Sequence, residues 1–112
     1  MLTLDEARRI ALALPEVVEQ DHHGMASFRL RGSVLATVPD DRTLRVMLDE
    51  DAIRAAVAEN DGVCAPVLWG RRLSAVAVDL DSADPALVQE LVTDAWRRRA
   101  PRTLLAAFDD LS

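Results

Sequence analysis

The chain has 112 residues, half of them apolar and 29% charged, with a formal net charge of −6. That balance suits one globular domain with a real core, residues 1–112 throughout, and excludes a disordered chain or a bilayer-spanning one, since no apolar run approaches roughly 18 residues. An acidic whole also argues against a general attraction to nucleic acid or anionic membrane, although all thirteen basic residues are arginine and a local arginine patch stays open.

Thr3 and Glu6 form a capping box, and Leu4, Ala7, Ile10, Ala11 and Leu14 recur at helical spacing, so a first helix of about three turns is expected, ended by Pro15. Residues 16–24 are polar and acidic and read as a loop. His22 and His23 stand side by side in it, but adjacent histidines point in different directions and complete no metal spacing with Asp21. No metal site is expected, and a hydrogen-bonded loop histidine is the better reading.

Ala26, Phe28 and Leu30 alternate with Ser27, Arg29 and Arg31, which predicts a strand with one apolar face and one face carrying guanidinium groups. A three-residue loop at Arg31-Gly32-Ser33 puts Val34, Ala36 and Val38 on the face of Phe28. A two-residue turn puts Leu35 there instead, and the pattern leaves both registers open. Pro39-Asp40-Asp41-Arg42 is a turn, after which Leu44, Val46 and Leu48 face the core while Thr43, Arg45 and Met47 face out. On this parity Arg29 and Arg45 share the outer sheet face.

Asp49-Glu50-Asp51 opens a second helix with carboxylates where the helix dipole favours them, and Asn60-Asp61-Gly62 closes it. Cys64, the only cysteine, cannot form an intrachain disulfide and reads as a small buried residue. Val63 to Trp69 is apolar, with Pro66 marking an edge or irregular strand. Gly70-Arg71-Arg72 is a turn, and Ser74 to Leu80 alternates cleanly. Trp69 is expected to pack at the sheet edge, with stacking on a bound base as the functional alternative. Asp84-Pro85 starts a third helix, whose last turn, Arg97-Arg98-Arg99, complements the negative end of its dipole. Pro101 begins a short terminal helix with Leu104, Leu105 and Phe108 able to dock.

Leu12-Ala13-Leu14-Pro15-Glu16-Val17, His23-Gly24 with Phe28-Arg29 and Arg31-Gly32, and Asp94 to Pro101 occur in an order and spacing that resemble the MmcQ/YjbR-like family of small bacterial proteins over residues 3–108. The resemblance implies an α+β, two-layer domain of the CyaY-like or double-wing kind, an antiparallel sheet with helices on one face. The expected order is α-β-β-β-α-β-β-α-α, with about five strands. It also implies a DNA-binding label. Lysines that usually follow the hairpin glycine and the late proline are replaced here by Ser33 and Arg102.

Two functional expectations follow. The first is a DNA-binding module whose candidate phosphate contacts are Arg29, Arg31, Arg45, Arg71 and Arg72. The second is a protein-interaction or homodimer-forming module that uses the sheet edge or the region of Leu35, Met47 and Trp69. No catalytic residues are assigned, because no nucleophile motif, Gly-rich phosphate loop or tyrosine is present, and no cofactor is implied. Without a leader-like N-terminus, a cytoplasmic location is expected.

Overall fold

Four helices and six strands are arranged along the chain in a computed structural model that describes residues 2–111. Helix α1 (Leu4–Leu12) starts on the capping box: the Glu6 amide donates to Thr3 Oγ1 and the Thr3 amide to Glu6 Oε1, each at 3.1 Å. These bonds to Thr3 hold the Glu6 carboxyl below its ordinary range.

After Pro15 the polar stretch is a strand, β1 (Val17–His22), paired antiparallel to β2 (Met25–Leu30) through His22 and Met25. The expectation of a loop fails here because only Val17 is buried. An edge strand that buries little against the helices needs no apolar alternation; its backbone pairing holds it. Glu19, opposite Phe28 in the ladder, meets Arg8 of α1 at 2.7 Å. The His23-Gly24 turn has φ of 54° and 81°, the two positive values a type I′ hairpin requires. The sheet therefore has six strands, one more than expected.

The register between β2 and β3 (Ser33–Asp40) resolves both alternatives. The turn is Arg31-Gly32, with φ of 49° and 85°, and Leu30 pairs with Ser33. A bulge opposite Phe28 and Arg29 then shifts the ladder by one residue. As a result Leu35 and Ala36 are both fully buried, Val38 follows them inward, and Val34 lies opposite Arg29. Leu35 is thus core and unavailable to a partner.

β4 (Thr43–Val46) leads into α2 (Glu50–Glu59), capped by the Asp49 carboxylate on the Ala52 amide at 2.8 Å. β5 (Cys64–Trp69) and β6 (Arg72–Asp79) form the second long hairpin, and the sheet order is β1-β2-β3-β4-β6-β5, every neighbour antiparallel. β5 is an edge strand, which is where Pro66, lacking an amide donor, is tolerated.

α3 (Pro85–Arg99), capped by Asp84, packs on β3, β4 and α1, while α2 packs on β5 and β6. Together they cover the face that carries Phe28, Leu30, Val46, Val76 and Val78. α4 (Arg102–Leu111) docks through Leu104, Leu105 and Phe108. Trp96, fully buried, closes this corner: its Nε1 donates to the Pro15 carbonyl at 2.9 Å and its ring lies 4.7 Å from that of Phe108. Among the described residues no buried side-chain polar atom lacks a partner, and no helix is long and apolar enough to cross a membrane.

Candidate nucleic-acid interface

The ladders fix which turns share an end of the sheet. Leu30 pairs with Ser33, Ala36 with Val46, Val46 with Val76, and Trp69 with Arg72, so the β2–β3 turn, the end of β4 and the β5–β6 turn lie together. The N-terminus of α2 joins them, because α2 follows directly on β4. So does the C-terminus of α3, since a 15-residue helix runs about 22 Å, close to the length of the strands beneath it. The opposite end holds the β1–β2 and β3–β4 turns and the β6–α3 loop, with Asp40, Asp41, Asp61, Asp79, Asp81 and Asp84. Arg42 sits within that acidic group, 2.8 Å from Asp81 and 3.9 Å from Asp79.

Of the five arginines singled out from the sequence, Arg31, Arg71 and Arg72 fall at the first end, while Arg45 lies mid-sheet and Arg29 turns its guanidinium toward His22 at the opposite end. Arg31, on the β2–β3 turn, is held by Glu16: Nε donates to Oε1 at 2.8 Å and Nη2 to Oε2 at 3.1 Å. That fork keeps the Glu16 carboxyl below its ordinary range. Arg29 lies on the sheet face away from the helices, folded over Ser27. Its Nε donates to Ser27 Oγ at 3.1 Å, and its Nη2 lies 2.9 Å from His22 Nδ1. A guanidinium only donates, so Nδ1 is the acceptor. Neither partner of Arg29 is a carboxylate. Arg45 is half-buried on the same face, opposite Thr37 and Ala77. Arg45, Arg71 and Arg72 have no carboxylate partner among the described residues.

Between the β5–β6 hairpin and the two helix ends lies an open cleft of about 960 Å³. Trp69, Arg72, Arg98 and Arg99 line it, facing Ser33, Met47 and the acidic start of α2 at Asp49, Glu50 and Asp51. Trp69 is 63% exposed and its neighbour Leu68 55%, so the tryptophan does not pack into the sheet edge as expected.

Arg98 and Arg99 are not among the candidate contacts named from the sequence, where the dipole accounts for the last helical turn, although with Arg97 and Arg102 they form the chain's one concentrated basic patch. Among the described residues only Arg97 of the three is tied down, donating to Asp109 at 2.8 Å and lying 5.2 Å from the centre of the Phe108 ring. The available signal was length, for a 15-residue helix starting at the acidic end must deliver its last turn to the other.

No curated protein and no solved structure matches the chain. The model of the YjbR family matches residues 12–98, which takes in every strand, both long hairpins and most of α3. The chain belongs to the YjbR family.

Proposed function

We propose that this protein is a DNA-binding module that contacts phosphates through arginines at the hairpin end of its sheet. One observation carries the reading: in a chain of net charge −6, four guanidinium groups with no carboxylate partner among the described residues, Arg71, Arg72, Arg98 and Arg99, gather at one end of the sheet, where the carboxylates of Asp49, Glu50 and Asp51 lie near them without pairing to them. An arginine whose charge is not spent on a carboxylate is available to a phosphate, and phosphate contacts supply most non-specific affinity for DNA. Arg29 and Arg45 extend the cationic surface onto the open sheet face. A catalytic role has less support: the Cys64 thiol is buried, and burial raises its pKa, which leaves little thiolate at neutral pH.

The test is fluorescence anisotropy of labelled DNA at roughly 50 and 200 mM salt, the interval over which phosphate-driven binding collapses. Binding at low salt that falls steeply at high salt is the expected result; no binding at low salt rejects the reading. The exposed Leu68 and Trp69 on edge strand β5 favour a second reading, a homodimer or protein partner at that edge. A concentration-independent monomer by sedimentation counts against the homodimer.

A further inference from the structure

We propose that the cleft beside the β5–β6 hairpin takes an unpaired nucleotide of single-stranded DNA, its base stacked on Trp69 and its phosphates held by Arg72, Arg98 and Arg99. The inference rests on the DNA-binding reading and names the form of DNA. Trp69 and Arg72 are directly opposed in the β5–β6 ladder, which places an aromatic ring and a guanidinium side by side at the mouth of the cleft. That pair matches the alternation of base and phosphate along a single strand, and base stacking on aromatic side chains is sequence-tolerant because every base has a π-face. A tryptophan 63% exposed in solvent has that face free.

The acidic lining sets the orientation. Asp51 lines the same cleft, as does Glu50, which is shared with Arg54 at 3.7 Å; such carboxylates disfavour phosphate and leave it to the arginines, and they accept hydrogen bonds from exocyclic amino groups such as that of cytosine. In a duplex the base faces and pairing edges are already occupied, and its second strand would bring phosphates against those carboxylates. The cleft therefore discriminates between the two forms, where arginines alone would not.

The test compares the intact protein with two variants, Trp69→Ala and Trp69→Phe, on a labelled 20-nucleotide single strand and on its duplex at roughly 50 mM salt. The intact protein is expected to bind the single strand about tenfold more tightly than the duplex. Trp69→Ala should remove most of that preference and leave duplex binding unchanged, and Trp69→Phe, which keeps a ring, should restore most of it. Equal binding of both forms by the intact protein, or a preference untouched by Trp69→Ala, overturns the cleft assignment while leaving DNA binding standing. Binding to neither form overturns both.

Discussion

The two ends of the sheet are built from the same kinds of part, tight turns and helix termini, yet their charged side chains are used differently. At the β1–β2, β3–β4 and β6–α3 end, side-chain oxygens serve local structure. Asp40 accepts from the Arg42 amide at 2.9 Å, Asp79 and its neighbours shape the loop, and Asp84 caps α3. The hydrogen bonds from Arg42 and Thr43 hold the Asp40 carboxyl below its ordinary range. At the hairpin end, by contrast, Arg71, Arg72, Arg98 and Arg99 stabilise little around them. Charges that explain local structure need no ligand; the comparison directs attention to those that do not. The extents of the molecule, 35 × 28 × 27 Å, put the two ends roughly three Debye lengths apart at 0.1 M salt, so the far aspartates barely act on the arginines, and the carboxylates that do are Asp49, Glu50 and Asp51 in the same cleft.

The largest effect should come from stripping the basic end. Replacing Arg72, Arg98 and Arg99 together with alanine is expected to weaken DNA binding by at least about tenfold at low salt and to lower the salt slope by about 2 to 3. Anisotropy at several salt concentrations checks both, and an unchanged slope breaks the assignment. Asp84→Ala at the acidic end should do the reverse, costing about 1 kcal/mol of stability through the lost cap with DNA affinity intact. Urea unfolding beside the binding assay separates the two outcomes.

A smaller effect is expected from Glu16→Gln, which frees Arg31 from its fork and should raise DNA affinity by about twofold at low salt, less at physiological salt. The same carboxylate contributes to acid sensitivity. Its folded pKa, like those of Glu6 and Asp40, is depressed, so its stabilising contribution is present above the unfolded value and is lost as pH falls through the folded one. Urea midpoints should therefore decline below about pH 4, and less so in Glu16→Gln. Least of all, Asp41→Asn with Asp61→Asn should leave DNA affinity within about twofold at 0.15 M salt, where the field of the far end is screened. A large gain would show that the ends communicate.

Much of the fold was legible because alternation and capping are local. Thr3 and Glu6, the 28–30 strand, Asp84-Pro85 and Pro66 each carry their meaning within a few residues. β1 was not legible, since an edge strand with a single buried residue has no pattern to read. Nor was the Leu35 register, which turns on a bulge that reconciles a two-residue turn with an inward Ala36. The site was half legible: arginines on strands and turns could be named, but the meeting of Arg98 and Arg99 with Arg72 and Trp69 depends on three elements ending at one place. Exposure of Trp69 likewise depends on what the helix ends leave uncovered at the hairpin.

The two tryptophans occupy contrasting places, Trp96 sealed against Phe108 and the Pro15 carbonyl, Trp69 open in the cleft, and the chain contains no tyrosine. The unmodified protein thus contains two optical reporters with separate duties. Emission from Trp96 is set by whether the α1–α3–α4 corner is assembled, and emission from Trp69 by what occupies the hairpin end. A red shift marks the loss of the first environment, and quenching without a shift marks the filling of the second. Folding and ligand capture can therefore be followed in one cuvette as distinct signals, with Trp69→Phe isolating the first.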